Sequence, residues 1–318
     1  MQTLDDAMKT IIQDAGQREI GCFVKGTSVR VEGPNRFSYK PIQDIEVGDK
    51  VLSAPENGIG EPVFKRVTKT FKFEDKEIWY VGFIDITRPA LTDVRDIEDI
   101  HYAMTPRHVG VTPNHHFMIV GKGYHTDRDR SLVGLPEDLA LLDTPEWRRA
   151  DQLTFGDVLL NPENGNHYAV IAAKPLYQYG SDQVDNMAWM HATPYYAHAV
   201  EDTEDTEDME ESLSKGTLFN MDDINEYFGA FRYADISCDN YNVTTHDDGT
   251  ESYIPYTTTV YNLEVEDYHT YCIGGTYQIM VHNTNCGTDN SENFLLEYIA
   301  PKRMLGDSYA DLNMDGRK

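Results

Sequence analysis

The chain has 318 residues with 54 acidic against 27 basic side chains, a formal net charge of −27, so nucleic-acid binding through a basic face is disfavoured. An apolar content of 40% is enough for a core, and at roughly 100–200 residues per domain the length means one large domain or two small ones. No apolar stretch approaches the ~18 residues that a membrane-spanning helix needs, and Met1–Ile20 lacks the basic start and apolar middle of a signal peptide, so the expectation is a soluble chain, cytoplasmic or particle-associated, with no membrane partner.

In chain order, Leu4, Met8, Ile11 and Ile12 recur at helical spacing and predict a short amphipathic helix ending at Gly21. From Cys22 onward the texture changes to short β-branched and aromatic runs broken by Gly, Pro and Asn: Val29–Val31, Lys50–Leu52, Ile78–Ile84, His116–Val120 and Thr257–Val265. That pattern predicts a mostly β domain of many short strands. Between them Tyr195 to about Ser252 is poorer in apolar residues and contains the acidic run Glu201–Glu211, which repels itself and packs badly. It lacks the central glycine and spacing of an EF-hand, so it reads as a solvated loop rather than a calcium site. A second short helix is expected at Glu292–Ile299. One internal similarity stands out: Ile42–Leu52 aligns without gaps on Ala150–Leu160, each a helical turn followed by Gly-Asp and a strand, which suggests a duplicated β subdomain.

Four cysteines, Cys22, Cys238, Cys272 and Cys286, have no C-x-x-C spacing and make no disulfide framework. Cys22 opens the β region in Gly21-Cys22-Phe23-Val-Lys-Gly26-Thr27, where it is either a small buried hydrophobe or a nucleophile. Thr112-Pro-Asn-His115-His116-Phe117 joins a polar cluster to an apolar strand. Neighbouring histidines in a strand point to opposite faces, so a shared metal site is not expected; His115 with Thr112 could polarise a carbonyl and protonate a departing amide nitrogen. Val281-His282-Asn283-Thr284 is either an ordinary turn or a site where the asparagine amide attacks its own carbonyl, aided by the imidazole before it and the hydroxyl after it.

The order of these positions, with Cys22-Phe-x-x-Gly26-Thr27, Ile42–Leu52, Thr112-x-x-His115, Val260–Tyr271 and His282-Asn283, resembles the Hint (Hedgehog/intein) superfamily of self-processing domains, in wording most similar to bacterial intein-like domains. The blocks span Cys22–Asn283, 262 residues. The resemblance implies a pseudo-two-fold horseshoe of β-strands over 22–283, carrying an acidic insertion and short flanking helices, with inserted material at 85–106 and 161–257 and extein-like flanks at 1–21 and 284–318. It also implies an autoprocessing enzyme whose substrate is its own flanks. Cys22 would convert the Gly21–Cys22 bond to a thioester with His115 and Thr112 assisting; Thr284 would then attack, and Asn283 would cyclise with help from His282. No metal or cofactor is required. The late block commonly carries an aspartate where this chain has Asn262, and His269 would share the task of tuning Cys22; Cys272 is expected in the core. The insertions are acidic and lack a homing-endonuclease signature. Splicing would yield only a 56-residue product. The competing expectation is therefore a slow Hint-fold module in an assembly, such as a phage particle or secretion machine, with the flanks or acidic insertion meeting a protein partner.

Overall fold

The structure is a computed structural model that describes residues 20–34, 38–86, 107–123, 139–180, 186–191, 216–222, 224, 232–233, 242–246, 248–275 and 277–283. The chain divides into two units, Gly21–Asn283 and the terminal segments Met1–Ile20 with Thr284–Lys318; every described strand belongs to the first. Both expected flanking helices, the Glu201–Glu211 run, Thr284, Cys238 and Cys286 lie outside the described residues.

The strands are β1 (Phe23–Val24), β2 (Ser28–Arg30), β3 (Tyr39–Pro41), β4 (Lys50–Ser53), β5 (Val63–Glu77), β6 (Trp79–Asp85), β7 (Arg107–Val111), β8 (His116–Gly123), β9 (Leu139–Arg149), β10 (Asp157–Leu160) and β11 (His167–Pro175). Then come β12 (Tyr177–Gln178), β13 (Met187–His191), β14 (Gly216–Asn220), β15 (Arg232–Tyr233), β16 (Val243–Thr245), β17 (Glu251–Tyr253), β18 (Thr257–Val265), β19 (Thr270–Ile273) and β20 (Ile279–His282). Among the described residues, fourteen of these form one antiparallel sheet in the order β3-β2-β19-β20-β8-β10-β11-β6-β7-β1-β18-β5-β4, with β9 on β8. A bridge between Val31 and Val51 brings the β2 end back to β4, so the sheet curls on itself. The expected mostly β horseshoe is what the chain forms.

The sheet has an internal two-fold. After β5 the chain crosses to pair β6 with β11, and after β11 it crosses back to pair β18 with β5; β1 and β7 meet at the centre, and β19 and β20 join the two halves. The duplicated sequence unit sits at matching places in each half. Ile42–Asp44 and Ala150–Gln152 are single 3-10 turns, each closed by an N–H···O bond of 3.3 Å. Gly48 and Gly156 follow with φ of +102° and +81°, a conformation open to glycine at no steric cost. Asp49 and Asp157 then cap the turn, accepting from the Glu46 and Thr154 backbone N–H at 2.9 and 2.7 Å. Asp157 is buried and also takes Lys122 and Arg148, a pairing that a buried carboxylate needs to remain charged.

Alternation builds the core. Residues such as Val51, Val67, Val81, Val111, Phe117, Val170 and Val281 point into one fully buried cluster, while the exposed positions of β5 are chiefly polar, among them Arg66, Thr68, Lys69, Thr70, Lys72 and Glu74. Truncating Phe117 to alanine there would cost about 3–5 kcal/mol. The segment expected as an insertion from residue 161 contributes β11, which carries seven register pairs to β6; the chain leaves the main sheet only after Pro175, for a small sheet β12-β13-β14-β15 and the hairpin β16-β17. The turn at Asn161–Asn166, held by Asn161 and Asn164 side chains, has the loop-like composition that hides this strand.

Candidate active site

The two-fold places equivalent turns at Val24–Thr27 and Thr112–His115, directly after the central strands. In each, the fourth residue's N–H returns to the first residue's carbonyl, at 3.3 and 3.2 Å. Its own carbonyl accepts 2.8 Å bonds from Ile42 and Ala150 of the duplicated 3-10 turns. One turn carries Val and Thr at its ends; the other carries Thr112 and His115. The polar pair thus occupies one of two equal mounts, and Asp151 N–H to the Pro113 carbonyl at 2.9 Å fixes it further.

That mount grips the peptide before β1. Cys22 N–H donates to Thr112 Oγ1 at 2.8 Å, and Thr112 N–H donates to the Cys22 carbonyl at 2.9 Å. From the other side Asn262 Nδ2 donates to the Gly21 carbonyl at 2.7 Å. Cys22 and His115 are fully buried, and Thr112 nearly so. The His115 ring lies against Gly21 so closely that a Cβ on residue 21 would sit 2.5 Å from His115 Cα and 2.6 Å from Nδ1. It packs at a tilt on Phe23, 4.2 Å between centroids. Burial pushes its pKa down to about 3; the neighbouring Gly21 carbonyl works the other way, and His116 and His282 push it lower still. At neutral pH this imidazole is uncharged.

The downstream end reaches the same place. Strand β20 pairs with β8 through Val281 opposite Phe117, and His282 lies near enough to His115 to push its pKa lower. Asn283 N–H donates to the His269 carbonyl at 2.8 Å. Its side chain is buried, and neither Nδ2 nor Oδ1 has a hydrogen-bond partner among the described residues. His282 Nε2 meets Glu56 Oε1 at 3.0 Å and packs edge-on to Trp147 at 5.1 Å. That hydrogen bond is the largest influence lowering the Glu56 pKa, so the contact favours the charged carboxylate.

Gly21, Cys22, Thr112 and His115 are therefore brought together by the sheet, with His282 near His115. His269, expected to help tune Cys22, stands just before β19, where its carbonyl accepts the Asn283 N–H. The residue reaching the upstream peptide from the late block is Asn262. Cys272 is buried in β19 with burial raising its thiol pKa strongly, an inert position. Sequence reasoning missed Glu56, which sits in a loop 226 positions from His282, and gave Asn262 no task of its own. Among the described residues no group of three His, Cys, Asp or Glu is arranged to hold a metal.

No protein-family model matches the chain, and no curated protein matches it. Solved structures do. A bacterial intein-like domain from Clostridium thermocellum is 16% identical over 82% of this chain and 98% of its own, with a TM-score of 0.38. A DnaB intein from Synechocystis sp. PCC 6803 is 10% identical over 83% and 99%, TM-score 0.38, and the gp41-1 intein is 13% identical over 83% and 98%, TM-score 0.33.

Proposed function

We propose that the chain processes itself at two peptide bonds, Gly21–Cys22 and Asn283–Thr284, by splicing or by cleavage at either bond. The observation that carries this is the buried Gly21–Cys22 peptide, gripped at the Cys22 N–H by Thr112 and faced by the His115 ring. A structural peptide in a sheet needs neither.

In the first step the Cys22 sulfur bonds to the Gly21 carbonyl carbon and the C–N bond breaks. The thiol proton ends on the departing nitrogen, giving a thioester and a free amine. His115, uncharged and facing the peptide, is given the task of carrying that proton to nitrogen, and its low pKa means it gives the proton up readily; an imidazolium could not start this cycle. Thr112 holds the nitrogen that must receive it. In the last step Asn283 Nδ2 bonds to its own carbonyl carbon, the bond to Thr284 breaks, and the Nδ2 proton passes to the Thr284 nitrogen with His282 as carrier. Among the described residues the Asn283 side chain has no hydrogen bond to give up first. Between them, Thr284 Oγ attacks the thioester carbon if splicing is to be completed. Holding all groups in one chain supplies effective molarities up to ~10⁵ M or more, which replaces any need for an external nucleophile.

The test separates the junctions. Thiol added to purified chain should release residues 1–21 from wild type and not from Cys22→Ala, while release of 284–318 should persist in Cys22→Ala and vanish in Asn283→Ala. Release that is indifferent to both substitutions rejects the assignment.

A further inference from the structure

The self-processing reading leaves one buried group at the upstream junction without a task. Asn262 is 1% exposed and spends both sides of its amide. Its Oδ1 accepts from Leu263 N–H and from Tyr271 O–H, each at 2.7 Å. Two donors on one atom fix which end is oxygen, and the NH₂ end then has a single direction, onto the Gly21 carbonyl oxygen at 2.7 Å. Tyr271 is fully buried, and burial holds its hydroxyl proton firmly, so it remains a donor. The arrangement is a relay of fixed dipoles ending on the one oxygen that becomes negative when sulfur adds to carbon.

We propose that Asn262 is a catalytic residue of the upstream junction, the oxyanion donor for the Gly21 carbonyl, with Tyr271 as its positioning residue; this rests on the self-processing reading above. When Cys22 Sγ adds to the Gly21 carbon, the carbonyl π pair moves to oxygen, and the Asn262 N–H bond strengthens against that charge in a fully buried site. Collapse of the adduct returns the pair and expels the Cys22 nitrogen, which takes the thiol proton. Asn262 loses no proton. A donor already in place in a buried site needs no reorganisation, and removing one such donor slows a reaction by roughly 10²–10³-fold. A carboxylate at this position would do the opposite while ionised, repelling the new charge.

The full chain is assayed for thiol-dependent release of residues 1–21 across pH 5.5–9, with release of 284–318 followed in the same tubes. Asn262→Leu should slow upstream release at least ~10²-fold and Tyr271→Phe about tenfold, with downstream release continuing. Asn262→Asp tests the chemistry apart from packing, since it keeps the shape and both incoming donors. Its rate relative to wild type should fall about tenfold per pH unit above the new carboxyl's pKa, because only the protonated acid donates. Upstream release in Asn262→Leu within threefold of wild type overturns the proposal. So does an Asn262→Asp profile parallel to that of wild type, or equal loss of both releases. A wild-type chain inert to thiol at Gly21–Cys22 overturns the self-processing reading itself before any variant is compared.

Discussion

Gly21 is the residue whose replacement tests the upstream geometry most sharply. Its φ lies outside the left-handed region, so alanine is allowed by the backbone and any penalty is steric. A Cβ would stand 2.5 Å from His115 Cα, 2.6 Å from Nδ1 and 2.8 Å from Cβ, where ordinary contact begins at 3.4 Å. The shortfall against Cα is about 0.9 Å, and the obstacle is backbone that Ala150 and Thr112 hold by hydrogen bonds. Either the Gly21 carbonyl withdraws from Asn262 and the imidazole, or the Thr112–His115 turn retreats. Overpacking of this kind costs about 1–3 kcal/mol, and displacement of a reacting group by ~1 Å costs ~10²-fold in rate. Gly21→Ala should therefore release residues 1–21 about 10²-fold more slowly in thiol, read as intact mass against time, while 284–318 still leaves. Release at the wild-type rate would refute the claim that His115 packs on this peptide.

Other outcomes rest on the same geometry. Glu56→Gln removes the carboxylate from His282 and should slow release of 284–318 about tenfold without touching the upstream event; equal rates at both junctions would show that the pair is only a surface contact. Cys272→Ser should leave the thiol dependence of upstream release intact, since burial keeps that thiol protonated; a loss of thiol dependence would move the nucleophile to position 272. Acid should destabilise the fold. His108 and His115 have pKa values held by burial at about 4 and about 3, against an ordinary value near 6.5, so between these limits the unfolded chain binds more protons and stability falls as pH drops. For His115 alone the loss between about pH 6.5 and pH 4.5 is on the order of 2–3 kcal/mol. Urea midpoints flat from pH 7 to pH 4.5 would contradict the buried, uncharged state.

What could be read ahead of the structure was whatever leaves a local trace. The Gly-Asp units were legible because a positive-φ glycine and an aspartate capping its own turn need those residue types at that spacing; Gly48-Asp49 and Gly156-Asp157 obey the same hydrogen-bond pattern. The candidate nucleophiles were legible through their order along the chain. Strand β11 was not, because the asparagine-rich turn before it has the composition of a loop. Asn262 was noticed only as the wrong residue for its block: its task depends on Tyr271 and on a carbonyl 241 positions away, and an isolated asparagine in a strand signals neither. His269 was expected to share in tuning Cys22 because of the resemblance; its backbone contact with Asn283, set by the β19–β20 pairing, left no trace in the sequence.

The claim beneath all of this is that one buried site, centred on His115, serves two peptide bonds in a single chain. Intact mass of the unaltered 318-residue protein, followed over hours with and without thiol, tests it directly. The account predicts thiol-accelerated loss of residues 1–21 together with loss of 284–318, or a ligated product of the two flanks. A chain that keeps its full mass for days under both conditions contradicts it.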